Sequence, residues 1–121
     1  MNGIIKRMAF VVIIATMFCF SNLFAQQGND STIVEVTIKT SAECGMCKDR
    51  IEKAVNDLSG IKYSNLDVDS KILTVKYDSD ETNPDKIRKA VSLVGYDADD
   101  IKANKKAYKQ LPKCCQKGGH K

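Results

Sequence analysis

Two thiols three residues apart, Cys44 and Cys47, sit in the run Thr40-Ser41-Ala42-Glu43-Cys44-Gly45-Met46-Cys47-Lys48-Asp49-Arg50-Ile51-Glu52-Lys53-Ala54-Val55, where an alternating strand gives way to an amphipathic helix. Cys44 falls in the loop and Cys47 in the first helical turn. Unpaired backbone N–H groups and the positive end of the helix dipole favour thiolate over thiol at such a place. Two thiolates on one side of a loop can grip a soft d¹⁰ cation such as Cu(I), which accepts few ligands and prefers sulfur. The same spacing also suits a redox dithiol. A second group of soft ligands, Cys114, Cys115 and His120, lies near the other end of the sequence.

The residues between these groups must hold the first pair in place. Val34, Val36 and Ile38 alternate with polar residues and predict a half-buried strand. From Lys48 the period changes, and Ile51, Ala54, Val55 and Leu58 mark a helix face that Ser59-Gly60 ends. Leu66-Asp67-Val68 and Ile72 to Tyr77 alternate again around Asp69-Ser70-Lys71, a hairpin signal. Asn83 caps a second helix with Pro84 at its first position, and Ile87, Ala90, Val91 and Val94 form its apolar face before Gly95. Tyr96 to Lys102 reads as a short last strand. The order β-α-β-β-α-β predicts an α+β, ferredoxin-like sandwich: a four-stranded antiparallel sheet with both helices on one face.

Four motifs then carry a resemblance. Cys44-Gly45-Met46-Cys47 after the first strand, Arg50 to Ala54 in the first helix, Val75-Lys76-Tyr77-Asp78 in the third strand and Gly95-Tyr96-Asp97-Ala98 before the last resemble the heavy-metal-associated domain, over about Thr32 to Ala103. That family includes copper chaperones, metal-binding modules of P-type ATPases and periplasmic mercury-binding proteins. The resemblance implies that Cys44 and Cys47 are the metal ligands and that Tyr96 shields the site. It implies Cu(I) as the first choice of ion, then Hg(II), then Zn(II) or Cd(II). It also implies a membrane metal transporter or another metal-binding domain as partner. Two departures stand out: Ala42 occupies the place of the family's methionine two residues before the first cysteine, and residues 104–121 extend past the domain.

Residues 1–25 read as a secretory signal peptide, with Lys6 and Arg7 before an apolar run from Met8 to Phe20 and Ser21 to Ala25 ending in a small residue. The run is short for a bilayer span, so the expectation is an exported protein, secreted or periplasmic, without stable membrane insertion after cleavage. Residues 26–31 are then a short linker. Removing the leader takes two of the 19 basic residues and none of the 15 acidic ones, leaving a net charge of +2. That balance gives no support for nucleic-acid binding, and the single aromatic in Val75-Lys76-Tyr77 is no base-stacking platform. The basic excess is local, with seven lysines and no acid from Lys102 to Lys121.

With one histidine in the chain and no serine or carboxylate pair with a visible partner, no catalytic machinery is expected, and the protein reads as a non-enzyme. The main rival is a periplasmic thiol-disulfide oxidoreductase using the same CxxC. A structural disulfide is disfavoured because so short a loop stabilises little. Met46, on the exposed turn between the cysteines, is expected to shield the site and to present an apolar contact surface to a partner rather than to ligate. Cys114, Cys115 and His120 can form a second metal site or close over Cys44 and Cys47. The expectation favours independence, because a strand from Tyr96 leads away from the metal loop and Gly118-Gly119 with the lysines argue for a mobile tail.

Overall fold

The alternating segments pair as their patterns require. In the computed structural model, which describes residues 32–119, β1 (Ile33–Lys39), β2 (Ile61–Asp67) and β3 (Ile72–Asp78) form one antiparallel sheet in the order β1-β3-β2. Helices α1 (Gly45–Asn56) and α2 (Pro84–Leu93) cover it, and a short α3 (Lys105–Gln110) and a 3-10 turn (Lys113–Cys115) follow. Ile38, Leu66, Leu73, Val75 and Tyr77 from the strands meet Ile51, Val55, Ile87 and Val91 from the helices in one core. β3 is the central strand, and its Leu73, Val75 and Tyr77 are all buried, as period-2 alternation demands.

The helix boundaries have local causes. The Asn83 carboxamide accepts the Lys86 N–H at 3.0 Å and Pro84 opens α2. Past α1, Gly60 takes φ +84, and a Cβ there would lie 2.7 Å from that of Glu81. β2 starts five residues before the expected Leu66, because a register shift between Ile61 and Tyr63 breaks the alternation that would have marked it.

The expected last strand, Tyr96 to Lys102, does not form, and the sheet has three strands among the described residues rather than four. Ala98 makes an isolated bridge to Thr40 and a second one to Ile101, with Asp99 at φ 51 turning the chain between them. Asp99 satisfies both backbone groups of Lys39, the last residue of β1. Its N–H donates to the Lys39 carbonyl and its carboxylate accepts the Lys39 N–H, both at 2.8 Å. Burial alone would raise the Asp99 pKa, but the Arg88 guanidinium at 2.8 Å and the Lys39 N–H outweigh it and hold the carboxylate below its usual range.

This turn decides where the rest of the chain goes. A full strand would have carried it away from the loop after β1; the reversal at Asp99-Asp100 returns it to the same end. The Ser92 hydroxyl donates to the Lys102 carbonyl at 2.7 Å, the Asn104 N–H donates to the Ser92 carbonyl at 2.9 Å, and the Asp97 carboxylate accepts the Ala103 N–H at 2.8 Å. The Asn104 side chain then caps α3 by accepting the Ala107 N–H at 3.0 Å. Gly95, at φ +102, lets α3 approach: a Cβ there would lie 3.0 Å from the Ala107 and Tyr108 backbone.

Candidate metal centre

The loop that carries Cys44 is tied down on both sides. The Thr40 N–H and hydroxyl both donate to the Lys71 carbonyl at 2.9 Å, and the Thr40 hydroxyl accepts the Ala42 N–H at 3.3 Å. The Asp97 N–H donates to the Ser41 hydroxyl at 2.9 Å, and Lys71 pairs with Glu43 at 2.9 Å. Ala42, in the place of the family's methionine, is fully buried beneath the loop. Helix α1 is fixed to β2 in turn: Glu52 accepts the Leu66 N–H at 2.8 Å and Lys48 donates to the Leu66 carbonyl at 2.9 Å. Cys44 is the extended N-cap residue of α1 and Cys47 lies in its first turn, so the strand-to-helix turn itself aims both sulfurs together.

Their Sγ atoms are 3.4 Å apart, far beyond the roughly 2.05 Å of a disulfide. The chain's far end completes the cluster. Leu111 and Cys115 are part of the core, and Cys115 Sγ lies 3.8 Å from Cys44 Sγ. The ligand atoms of Cys44, Cys47 and Cys115 all fall within 4.8 Å of one another. With metal–sulfur bonds of about 2.3 Å, thiolates around one ion sit about 3.8–4.0 Å apart, so the cluster fits a soft ion with small adjustments.

The outcome for the tail differs from the expectation of an independent site. Cys115 sits on the CxxC, Cys114 faces outward toward Met46 at 3.9 Å, and His120 lies outside the described residues, as do the predicted leader and linker. The physical reason is the turn at Asp99, which starts the tail at the metal end, and Leu111, whose burial anchors it. Lys117 locks the end of the segment: its Nζ meets the Asp97 carboxylate at 2.6 Å and its N–H donates to the Tyr108 hydroxyl at 3.1 Å. Asp97, Leu111 and Lys117 were missed as positioning residues; an isolated leucine among lysines was the one available signal.

Tyr96 is fully buried behind the sulfurs. Among the described residues its hydroxyl has no hydrogen-bonded partner, although the sulfurs of Cys115 and Cys47 are near enough to act on it. Burial first, and those thiols second, push its pKa far above the ordinary phenol range, so it is a neutral O–H donor. Burial, together with Cys47 and Cys44, pushes the Cys115 thiol up to about 12, against the opposing pull of the Tyr96 hydroxyl. Met46, expected to shield the site, is half exposed beside Cys114.

An α+β sandwich presenting a cysteine pair at the turn from its first strand to its first helix, with a third thiol closing on them, is built as a small soft-metal module. Residues 36–97 match the model of the heavy-metal-associated domain, and the chain belongs to that family. A copper-exporting P-type ATPase of Staphylococcus aureus (strain JH9) is 32% identical over 88 residues, 72% of this chain and 11% of that protein. The chain thus spans about a tenth of the length of the curated relatives it matches. In fold it is similar to a CopZ metallochaperone, with a TM-score of 0.53 and 23% identity over 54% of this chain and 98% of the other. It is equally similar to oxidized MerP from Ralstonia metallidurans CH34, with a TM-score of 0.53 and 22% identity over 55% and 93%.

Proposed function

We propose that this protein is an exported carrier or sequestering protein for a soft metal ion, held by Cys44 and Cys47, with Cu(I) the first choice before Hg(II), Zn(II) and Cd(II). The observation that carries this reading is the 3.4 Å approach of the two sulfurs on a pinned strand-to-helix turn in a heavy-metal-associated fold. Relatives named as copper-exporting ATPases support the choice of ion. The partner on this reading is a membrane metal transporter or another metal-binding domain, which trades the ion by ligand exchange. Export rests on the N-terminal leader pattern, and among the described residues no helix is long and apolar enough to cross a membrane.

The test is titration of the reduced full chain with Cu(I) against a colorimetric Cu(I) chelator. One equivalent should bind tightly, and Cys44→Ser with Cys47→Ser should weaken it greatly; undiminished binding by that double variant would end the reading. Catalytic reduction of insulin disulfides in metal-free buffer would favour the oxidoreductase instead.

A further inference from the structure

Five sulfurs form an unbroken line through this structure. It runs from Met46 Sδ to Cys114 Sγ at 3.9 Å, to Cys115 Sγ at 3.9 Å, to Cys44 Sγ at 3.8 Å and to Cys47 Sγ at 3.4 Å. Accessibility falls from Met46, 50% exposed, through the partly covered Cys114 to the buried Cys115; beyond it Cys44 is again partly covered and Cys47 is buried. Two sulfurs can share one metal ion only if they lie within twice a metal–sulfur bond, about 4.6 Å. Every neighbouring pair on the line meets that limit, so an ion can move along it without ever leaving sulfur.

We propose that the C-terminal segment makes this a three-thiolate site with its own outer landing point. Cys115 is the third ligand beside Cys44 and Cys47, and Cys114 with the Met46 thioether takes the ion first and passes it inward. This rests on the carrier reading above. Each step is ligand exchange without electron transfer: a Cu(I)–S bond forms at the inner thiol as its proton leaves, then the bond to Cys114 breaks and Cys114 takes a proton back. The pairing has a fold-level cause. The turn at Asp99 brings the segment to the metal end, Leu111 anchors it in the core, and the Lys117–Asp97 pair at 2.6 Å holds the 3-10 turn against α1. Adjacent cysteines on that turn point one inward and one outward, which separates ligand from landing point.

The experiment uses the reduced full chain loaded with one equivalent of Cu(I). X-ray absorption should count three sulfurs on the wild type and two on Cys115→Ser and Cys115→Ala. Affinity should fall in both by at least the factor typical of losing a group that supports a metal site, about 10–100-fold. Cys114→Ser and Met46→Leu should keep three sulfurs on the bound ion yet take Cu(I) from a chelator several-fold more slowly in stopped flow. Two sulfurs on the wild type, or unchanged affinity in both Cys115 variants, would overturn the third ligand. Loading as fast as wild type in Cys114→Ser and Met46→Leu would overturn the landing point. In either case the carrier reading stands as long as Cys44→Ser with Cys47→Ser still weakens Cu(I) binding greatly; undiminished binding by that double variant sinks both.

Discussion

Removing one oxygen atom should separate what Tyr96 does for the fold from what it does for the site. Its ring is fully buried and fills the space behind the sulfurs, so Tyr96→Phe leaves the packing intact. Among the described residues no oxygen or nitrogen pairs with the hydroxyl, and the Cys115 and Cys47 thiols that act on it accept weakly. A buried, unpaired hydroxyl costs about 1–3 kcal/mol, so Tyr96→Phe should stabilise the metal-free form by about 1 kcal/mol. For a domain of this size that is a rise in Tm of about 4–8 °C. With metal bound the sulfurs are thiolates, and the same O–H becomes a donor to a charged acceptor. The opposing pull of Tyr96 on the Cys115 pKa already has that sign. A hydrogen bond to a charged group contributes about 1.5–3 kcal/mol, so its loss should weaken metal binding by roughly tenfold or more. Calorimetry of the reduced metal-free protein gives the first quantity, and competition against a Cu(I) chelator gives the second. A lower Tm in the metal-free variant, or an unchanged Cu(I) affinity, would refute the assignment of the hydroxyl to the thiolates.

Gly95→Ala places a Cβ 3.0 Å from the α3 backbone at a φ of +102, so it should loosen the C-terminal segment, read as faster amide exchange over residues 105–117 with the sheet unchanged. Because the Cys115 thiol is pushed up to about 12, it keeps its proton at neutral pH until metal displaces it. Cu(I) affinity should therefore rise with pH, and Cys115→Ser should lower the slope of log affinity against pH by about one. The raised Cys115 pKa also favours the folded metal-free state fully below the unfolded thiol value of about 8.5, and that contribution is lost as pH rises through 12; thermal scans of the reduced protein should show Tm falling above about pH 9. At Asp97 burial alone would raise the pKa, but Lys117, the Ala103 N–H and Lys102 together lower it, so its contribution is full above the unfolded value of about 3.9 and is lost as pH falls below that. Exchange protection of residues 113–117 should accordingly be flat from pH 7 to 5 and drop below about pH 4, and Asp97→Asn should cost less than about 1 kcal/mol because Lys117 is largely exposed.

The two helices and the central strand were legible because each buries a full stripe: Ile51 with Val55, Ile87 with Val91, and Leu73, Val75 and Tyr77. The placement of Cys44 and Cys47 at the turn from β1 to α1 was legible because their spacing and the strand-to-helix switch are both local. β2 was only half visible, since a bulge erases alternation without changing pairing. The last strand failed for a different reason. Tyr96 and Ala98 do alternate inward, but whether the next residues extend or turn depends on whether Asp99 finds Arg88 on the preceding helix and Lys39, which is 60 positions away in sequence. The tail's placement inherits that error. A strand from Tyr96 to Lys102 would have delivered it to the far end of the sheet, and two glycines with many lysines suggested mobility; one buried leucine and one ion pair decide otherwise.

The closing segment bears on how a carrier can both hold an ion and give it up. What docks residues 104–119 is a small apolar contact, the buried Leu111 and Cys115 with Tyr108 and Cys114 packed against the core, together with a few hydrogen bonds and one largely exposed ion pair. On the three-thiolate proposal, the form that releases the ion is an opened one with Cys115 withdrawn, reached as a minor state of the closed protein. Opening removes one thiolate from the ion and leaves it on Cys44 and Cys47, the under-coordinated form that an incoming thiolate can attack. A partner that supplies this thiolate replaces Cys115 one for one, so the number of metal–sulfur bonds is conserved and the direction of transfer depends on the partner's own affinity. Small competing thiols meet the closed form most of the time. The weakness of the docking is therefore what lets a three-thiolate site remain exchangeable: a segment held by a larger apolar interface would trap the ion, and one with no anchor at Leu111 would leave it open to any thiol in solution.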